Sequence, residues 1–277
     1  MRIAALLTCF NRKEKTRKCL ESLFAVRPDS DVYLVDDGST DGTSELVAEQ
    51  FPKVHIIKGP GDLFWSRGMY TAWKEAENGD YDYYLWLNDD IELYPFFIDE
   101  LFSSMEKAGG NCVVSGLIGT FDGKQVLYGG SDANKKLIGE ADEPQDIRHM
   151  NGNVVLVPRE VVKKIGIIDP VLHHDLGDVD YGLTALEHGI RVVTTTKIIA
   201  AGYPNNFCRV RKWGVTLPQR FKRLNHPLGS PLKINFYFRK KHWGVAKATV
   251  FCLYLIFLNI LPDWAVVKLF GETYKNK

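Results

Sequence analysis

Two pairs of adjacent aspartates follow apolar stretches of this chain, and paired carboxylates are groups that can do chemistry. Asp89 and Asp90 close one such stretch, and Asp36 and Asp37 close another. Because a buried strand excludes charge, each pair should lie just beyond the carboxyl end of a strand. Carboxylate oxygens in that position can hold a hard divalent cation, which often carries substrate phosphates. The two pairs therefore predict a site for a metal-bound phosphorylated ligand.

The second pair along the chain has a simpler alternative interpretation. On the functional interpretation, Asp90 ligates Mg²⁺ or Mn²⁺ and Asp89 accepts a hydrogen bond from a ribose or sugar hydroxyl. Alternatively, Asn88, Asp89 and Asp90 form a solvated turn, because Asn and Asp are common turn residues. The presence of the other acid pair favours the functional interpretation.

A glycine-bearing loop at residues 59–69 runs into a predicted helix. The amino end of a helix together with Arg67 forms a reasonable seat for a diphosphate, and Gly68 lies in the same segment. Neither Gly-x-Gly-x-x-Gly nor Gly-x-x-x-x-Gly-Lys-Ser/Thr occurs in the chain. The absence of these motifs argues against a dinucleotide-binding dehydrogenase and against a P-loop enzyme.

Residues 173–181 contain three carboxylates and two imidazoles at the start of a predicted helix. Asp178 is the candidate for the general base that a transfer reaction at a phosphate-holding sheet edge requires. Capping of the helix by these acidic residues is the structural alternative, because the helix dipole favours negative charge there.

The first 110 residues alternate between strand-like and helix-like segments. Strands are predicted at 3–8, 32–35, 54–57 and 83–87, and helices at 13–25, 43–50, 65–77 and 95–107. This alternation predicts parallel βαβ units and a sheet covered on both faces, in which ligands bind beyond the carboxyl ends of the strands. From 112 to 206 the pattern is mixed, with strands at 113–118, 125–128, 153–157 and 191–195 and helices at 158–165 and 179–188. The expected class is therefore α/β, with a mostly parallel central sheet flanked by helices.

The last 71 residues differ in charge from the rest. Residues 207–277 contain 14 lysines and arginines against two acidic residues, whereas residues 1–206 contain 21 and 32. The segment 245–261 is apolar around the whole helix, but at about 25 Å it is shorter than the roughly 30 Å hydrocarbon core of a bilayer. A helix lying in the membrane interface fits this pattern, while docking of the helix against the body is the alternative. Nucleic acid does not explain the apolar helix, so we expect no nucleic-acid partner.

Cysteine usage and the amino terminus indicate the compartment. The five cysteines are an odd number and include no Cys-x-x-Cys pair, which argues against a disulfide framework or a zinc site and for a reducing cytoplasm. The apolar run 3–7 is too short for a signal peptide. We expect a cytoplasmic protein, peripheral on the inner face of the cell membrane.

Four segments, taken in order, resemble the family 2 glycosyltransferases, which are inverting enzymes of the GT-A fold. The matching segments are 6–12, 35–43, 88–90 and 177–180. The resemblance covers about residues 1–200. It implies a transferase domain at 1–206, with a Rossmann-like nucleotide-sugar half at 1–110 and an acceptor and catalytic-base half at 111–206. A basic helical tail at 207–277 follows it.

The resemblance also implies roles for individual residues. It makes Asp178 the base, Asp90 the ligand of Mg²⁺ or Mn²⁺, and Gly177 a departure from the glutamate of the family's Glu-Asp pair. Donor-binding residues are predicted at Thr8, Phe10, Asn11, Arg12, Asp37, Arg67, Gly68 and Asp89, and acceptor-binding residues at Asn153, His174, Asp180 and Trp213. No histidine follows the strand predicted to end near Thr196, where some relatives place another metal contact.

The implied activity is transfer of a hexosyl or deoxyhexosyl group from a UDP- or dTDP-linked sugar. The acceptor would be a hydroxyl of a lipid-linked saccharide in surface polysaccharide assembly. Two alternatives are a nucleotidyltransferase acting on sugar phosphates and a catalytically silent membrane-associated module of the same fold. The first normally needs a glycine-rich basic loop after its first strand, which is missing here.

Overall fold

The computed structural model describes residues 1–204 and 210–271. The predicted boundary at 206/207 and Cys208 lie outside these residues. The chain divides into two compact units, the first being Met1–Pro170 with Gly177–Pro204 and the second Val171–Leu176 with Asn205–Lys277.

The first unit alternates strands and helices, as the sequence predicts. Its strands are β1 (Ile3–Cys9), β2 (Asp31–Asp36), β3 (His55–Lys58), β4 (Tyr83–Leu87), β5 (Glu92–Leu93), β6 (Val113–Gly119), β7 (Val126–Tyr128), β8 (Gly130–Ser131), β9 (His149–Met150), β10 (Val154–Pro158) and β11 (Val192–Ala201). Its helices are α1 (Lys13–Val26), α2 (Thr43–Gln50), α3 (Phe64–Ala76), α4 (Phe97–Lys107), α5 (Arg159–Ile165) and α6 (Gly177–Glu187).

The first unit contains a nine-stranded sheet. Its order is β3-β2-β1-β4-β10-β6-β11-β5, and β7 pairs with β6. The pairs among β1, β2, β3 and β4 and the pair β6–β11 are parallel, while β10 runs antiparallel to both β4 and β6. The carboxyl ends of β1, β2, β3, β4, β6 and β11 therefore meet at one edge of the sheet. The strands β8 and β9 form a separate antiparallel pair.

Alternate residues of β1 enter two apolar clusters, one for each face of the sheet. Ala5 and Leu7 belong to the cluster that contains Leu20 of α1, whereas Leu6 belongs to the cluster that contains Trp73 of α3. Because strand side chains alternate between faces, a strand covered by helices on both sides must be apolar throughout, as β1 is.

One strand end was predicted wrongly. The strand expected to end near Thr196 continues to Ala201 as the second half of β11. Its register against β6 shifts between Thr194 and Ile198, and the intervening Lys197 is the exposed position of the strand. An irregularity of this kind interrupts the apolar pattern without ending the strand.

The second unit contains the helices of the basic tail. They are α7 (Leu217–Leu224), α8 (Leu232–Trp243), α9 (Val245–Ile260) and α10 (Asp263–Phe270). Gly244, at φ +85°, separates α8 from α9, because glycine adopts this left-handed conformation without steric cost. Within residues 1–204 and 210–271, no helix is long and apolar enough to span a membrane.

Candidate active site

Loops after three adjacent parallel strands form the candidate site. β1, β2 and β4 end at Cys9, Asp36 and Leu87, and the register of β1 pairs Cys9 with Asp36. The backbone N–H of Asp37 donates to the carbonyl of Cys9 at 3.0 Å, so the first two loops leave the sheet together. In open α/β sheets this edge is where ligands bind.

The pair Asp89–Asp90 is neutralised by basic side chains of α1 and the loop before it. Nη1 of Arg12 lies 2.9 Å from Oδ1 of Asp89 and 2.9 Å from Oδ2 of Asp90. Nζ of Lys15 lies 3.9 Å from Oδ2 of Asp90, and the hydroxyl of Thr16 donates to Oδ2 of Asp89 at 3.4 Å. The structure thus brings together three of the predicted ligand-binding residues, Arg12, Asp89 and Asp90.

The two carboxylates differ in exposure. Only 5% of the Asp89 side chain is exposed, against 24% for Asp90. Burial raises the pKa of Asp89 to about 6, the charge of Asp90 adds to the rise, and Arg12 and Thr16 oppose it. Asp90 is therefore the carboxylate that an ion or ligand arriving from solvent can reach.

The chemistry of this pair fits Mg²⁺ or Mn²⁺ when a substrate completes the shell. Residues 1–204 and 210–271 contain no group of three or more His, Cys, Asp or Glu side chains placed to hold a metal. Mg²⁺ commonly uses one or two carboxylates and takes its other ligands from water and substrate phosphates. Asp90, with Asp89 beside it, supplies ligands of this type.

The first acid pair makes contacts inside the protein. Asp36 is fully buried and accepts hydrogen bonds from the Ser39 N–H at 2.9 Å, from the Ser44 hydroxyl, and from Lys58 Nζ at 3.2 Å. Burial alone would raise its pKa, but these hydrogen bonds outweigh burial and lower the pKa of Asp36. Asp36 therefore fixes the loop between β2 and α2.

Asp37 fixes the glycine-bearing loop. One of its oxygens accepts from the Gly61 N–H, and the other accepts from the N–H groups of Leu63 and Phe64, each at 2.9 Å. Leu63 and Phe64 lie at the amino end of α3, where backbone N–H groups lack helical partners, and Gly61 lies in the loop before it. The predicted contact of Asp37 with a nucleotide remains a prediction, because its carboxylate already accepts three hydrogen bonds from the backbone.

Asn11 connects the first two loops. It adopts a positive φ of 51°, its N–H donates to the Ser39 hydroxyl at 2.9 Å, and its Oδ1 accepts from the Thr40 N–H at 2.8 Å. The preceding ring, Phe10, is 52% exposed. Asn11 thus holds the loop, and Phe10 offers an accessible aromatic face next to it.

The predicted diphosphate seat on α3 packs closely against β1. A Cβ at Gly68 would lie 2.3 Å from Oγ1 of Thr8, so the glycine permits the close approach of helix and strand. Thr8 is half-buried beneath this contact. Arg67, on the same helix, donates through Nε to the carbonyl of Pro170 at 3.1 Å.

Asp178 lies at the beginning of α6 and contacts the turn before β10. Its Oδ2 accepts from the Gly152 N–H at 3.0 Å. Next to that turn, Nε1 of Trp65 donates to Oδ1 of Asn88 at 2.7 Å, and Nδ2 of Asn88 donates to Oδ1 of Asn153. This chain of hydrogen bonds connects the loop carrying the acid pair to the turn that holds Asp178.

The remaining predicted acceptor residues lie in different surroundings. Asp180 is buried, with 2% of its surface exposed, on α6. His174 and Trp213 belong to the second unit. Both are half-buried, and the guanidinium of Arg211 lies 4.9 Å from the centre of the Trp213 ring.

Sequence reasoning missed several residues of this edge. Lys15 and Thr16 lie one helical turn after Arg12, a spacing that places them on the same side of α1. Trp65 and Gly152 have no motif around them that predicts a role at this edge. The helical spacing was the one signal that could have identified Lys15 and Thr16.

Comparison with known structures defines the class. The chain superposes over 98% of its length on 46% of Staphylococcus aureus TarS, with a TM-score of 0.61 and 11% identity. It superposes over 99% on 82% of the mannosyltransferase PcManGT from Pyrobaculum calidifontis in complex with GDP-Man and Mn²⁺, with a TM-score of 0.56 and 17% identity. At these identities the likeness shows the fold alone, and it confirms the GT-A type.

The sequence comparison identifies the family. Residues 5–166 match the sequence profile of glycosyl transferase family 2, and the chain belongs to that family. It is also 32% identical over 112 residues to the poly-β-1,6-N-acetyl-D-glucosamine synthase of Staphylococcus epidermidis, a match covering 39% of this chain and 27% of that protein. The chain thus belongs to this family and has its fold, and it spans only about a quarter of the length of that relative.

Proposed function

We propose that the protein is an inverting, metal-dependent glycosyltransferase that moves a hexosyl or deoxyhexosyl group from a nucleotide-sugar to a saccharide hydroxyl. The observation that carries the proposal is the hydrogen-bonded connection between the loop after β4, which contains Asp89 and Asp90, and the turn before β10, which Asp178 contacts from the first turn of α6. The family assignment supports the reaction class.

The residues at this edge could perform the separate roles that an in-line displacement requires. A divalent cation held by Asp90 would supply electrostatic stabilisation to the leaving diphosphate. Arg67 would neutralise the same group, and Asp89 would accept from a donor hydroxyl. Asp178 would remove the proton from the acceptor hydroxyl as that oxygen attacks the anomeric carbon, which inverts its configuration.

For the donor we propose a UDP- or dTDP-linked sugar. TarS has been solved with UDP-GlcNAc, which supports a UDP-linked donor. PcManGT has been solved with GDP-Man, so GDP is included in the test below. Thr8, in β1, and Phe10, Asn11 and Arg12, which follow β1, would contact the base and ribose, with Phe10 providing the accessible ring.

For the acceptor we propose a lipid-linked saccharide used in surface polysaccharide assembly. The protein would bind this acceptor at the cytoplasmic face of the membrane. The related Staphylococcus epidermidis protein, a polysaccharide synthase by name, supports the product class. The excess of basic residues at 207–277 supports contact with a membrane surface. Asn153, His174, Asp180 and Trp213 remain the proposed acceptor residues.

Thermal unfolding with UDP, dTDP, GDP and CDP, each with and without Mn²⁺, tests the donor site. A ligand that binds the folded state alone raises the unfolding midpoint by mass action. We expect one nucleotide to raise it only with Mn²⁺, and Asp90→Ala to abolish the rise. Asp29→Ala serves as the control, because Asp29 is exposed and pairs with Lys53, which is also exposed.

The base is tested separately. Asp178→Asn should lower kcat by roughly 10²–10⁴-fold while the nucleotide-dependent rise in midpoint persists. An unchanged kcat would exclude Asp178 as the base. Absence of any nucleotide effect on the wild type would instead favour the silent module of the same fold.

A further inference from the structure

Lys15 lies beside the more exposed carboxylate of the acid pair without hydrogen-bonding to it. Arg12 contacts both Asp89 and Asp90 at 2.9 Å. Nζ of Lys15 is 3.9 Å from Oδ2 of Asp90, a distance within the range of an ion pair but beyond that of a hydrogen bond. In the part of the chain that the structure describes, the ammonium of Lys15 donates no hydrogen bond. Its three N–H groups can therefore be donated to a ligand.

The ring of Tyr203 holds this ammonium next to Asp90. Nζ of Lys15 lies 4.6 Å from the centre of the ring, a distance at which the negative face of an aromatic ring attracts a cation. Tyr203 is itself fixed, because its carbonyl accepts from the Tyr128 hydroxyl at 2.9 Å and its ring lies 4.8 Å from that of Phe121. The loop after β11 therefore supports a side chain of α1 at the edge of the candidate site.

The position of Lys15 in its helix does not account for its charge. α1 begins at Lys13, so Lys15 lies in the first turn, where the helix dipole disfavours a cation. Its contacts with Asp90 and Tyr203 offset that cost. The side chain of Lys15 is 44% exposed and that of Asp90 24%. A ligand arriving from solvent can therefore contact both groups at once.

The charges at this point select the ligand. The two carboxylates and the two basic side chains balance formally, the four residues being Arg12, Lys15, Asp89 and Asp90. A divalent cation held by Asp90 would leave an excess of positive charge, which a polyanion offsets and a neutral ligand does not. Phosphate groups are the common partners of a cation held by one or two carboxylates. A diphosphate that shares a cation with Asp90 must lie next to that carboxylate, where Lys15 also lies.

We propose that Lys15 binds the diphosphate of the sugar donor and that Tyr203 positions Lys15 for this contact. During transfer the bond between the anomeric carbon and the diphosphate oxygen breaks, and its electron pair leaves with the diphosphate. The ammonium of Lys15 donates to the phosphate oxygens and stabilises the charge that develops there. The inference rests on the proposed function, because it takes the ligand at Asp90 to be a nucleotide-sugar.

Isothermal titration calorimetry of the full chain tests the contact, with UDP and UMP as probes. Saturating Mn²⁺ is present throughout, so that any effect of Lys15 on the affinity for the ion itself does not enter. Lys15→Gln should raise the Kd for UDP by roughly tenfold and the Kd for UMP by less, because the diphosphate carries more negative charge. The matching dTDP and dTMP, GDP and GMP, or CDP and CMP pair replaces these probes if the donor test selects that base.

Two substitutions of Tyr203 test its positioning role. Tyr203→Leu should raise the Kd for UDP by roughly two- to fivefold, the usual effect of losing an exposed contact between a cation and a ring. Tyr203→Phe keeps the ring and should bind UDP as the wild type does. In the Lys15→Gln background, Tyr203→Leu should have no further effect, because no ammonium is left to position. Additive losses would show that Tyr203 does not act through Lys15, and would overturn that part of the proposal.

Lys18→Gln is the matched control. It removes the same charge one helical turn further along α1, where Lys18 pairs with Glu92 at 3.3 Å, and it should leave both Kd values unchanged. Circular dichroism and thermal unfolding without ligand establish that each variant is folded. A folded Lys15→Gln variant with the wild-type Kd for UDP would overturn the proposal. Equal losses for UDP and UMP would also overturn it, because they would locate the effect at the nucleoside.

Binding to the wild type separates this inference from the proposed function. If the wild type binds UDP with Mn²⁺ and Lys15→Gln binds it equally well, the proposed donor site stands and the assignment of Lys15 alone is wrong. If the wild type binds none of the nucleotides, the proposed donor site is wrong, and Lys15 has no diphosphate to bind.

Discussion

Arg12 and Asp89 form an ion pair of 2.9 Å in which the carboxylate is buried and the guanidinium is 45% exposed. The same nitrogen of Arg12 lies 2.9 Å from Asp90. In the free protein, Arg12 thus occupies the side of the acid pair that an incoming cation would approach. Binding of a metal ion must compete with this internal cation, since like charges within a few ångströms repel.

Arg12→Gln should therefore increase the affinity for Mn²⁺ in the absence of nucleotide. We expect an increase of roughly tenfold, which corresponds to about 1.4 kcal/mol for one charge removed at a partly exposed site. Isothermal titration calorimetry with Mn²⁺ measures it directly. Arg2→Gln is the control, because it removes the same charge from an exposed pair with Asp31. Equal affinities for the two variants would show that Arg12 does not compete with the ion.

The family resemblance predicts that Gly177 replaces a glutamate, and packing explains why glycine suits this chain. A Cβ at Gly177 would lie 2.4 Å from Oγ and 2.9 Å from Cβ of Ser66, which is fully buried on α3. Gly177→Ala should therefore lower the free energy of unfolding by about 1–3 kcal/mol, the usual cost of overpacking. Urea denaturation measures the change.

A double-mutant cycle isolates this contact. Ser66→Gly removes the Cβ and Oγ that obstruct residue 177, so Gly177→Ala should cost much less in that background. Gly139→Ala is the control, because a Cβ there meets nothing within 4 Å. Additive effects of Ser66→Gly and Gly177→Ala would contradict the packing explanation.

The sequence predicted the elements of the first unit well, for a physical reason. Strands such as β1 and β4 are buried on both faces and so appear as unbroken apolar runs that end at polar residues. The end of such a run locates the sheet edge to within a residue or two. Both acid pairs were placed at that edge on this basis, and the structure puts them there.

The backbone partners of Asp37 and Asp178 could not be predicted. Asp37 accepts hydrogen bonds from residues 61–64, and Asp178 from Gly152, so each partner lies more than 20 residues away. Local pattern carries no information about such contacts, because they depend on how loops meet in three dimensions. The same reason applies to α9. Because its sequence is apolar on all sides, the sequence did not reveal which side of the helix would be buried.

Glu100 connects α4 to β11 and should make stability depend on pH. Its Oε1 accepts from the N–H and hydroxyl of Thr196 at 2.9 and 2.6 Å and from the Ser104 hydroxyl at 3.0 Å. Burial would raise the pKa of Glu100, but these hydrogen bonds outweigh it and lower the pKa. The stabilisation is thus complete above the unfolded-state pKa of about 4.3 and is lost as pH falls through the lower folded-state pKa.

Glu100→Gln tests this dependence. The variant should be less stable than the wild type by about 1 kcal/mol at neutral pH, and the difference should shrink below about pH 4. Urea denaturation across this pH range measures it. Glu106→Gln, at an exposed position of the same helix, should track the wild type throughout. A Glu100→Gln difference that stays constant with pH would mean that charge is not what stabilises the contact.

Asp263 holds the carboxyl end of α9 through two arginines. The side chain of Arg211 is fully buried, and its Nη2 donates to Oδ1 of Asp263 at 2.5 Å and to the carbonyl of Leu261 at 2.8 Å. Arg220 donates to the same carboxylate oxygen at 3.0 Å. Removing one partner of a buried ion pair leaves an uncompensated charge, which is costly.

Asp263→Asn should therefore destabilise the second unit by about 2–4 kcal/mol, the lower end reflecting the carbonyls that still accept from Arg211. Hydrogen exchange followed by mass spectrometry provides the measurement, because loss of stability should speed exchange of amides in α9 while those of β1 and β4 keep their protection. Asp142→Asn, at an exposed loop position of the first unit, should leave α9 unchanged. Equal acceleration in both units after Asp263→Asn would mean that they unfold together, and that the ion pair stabilises the whole chain.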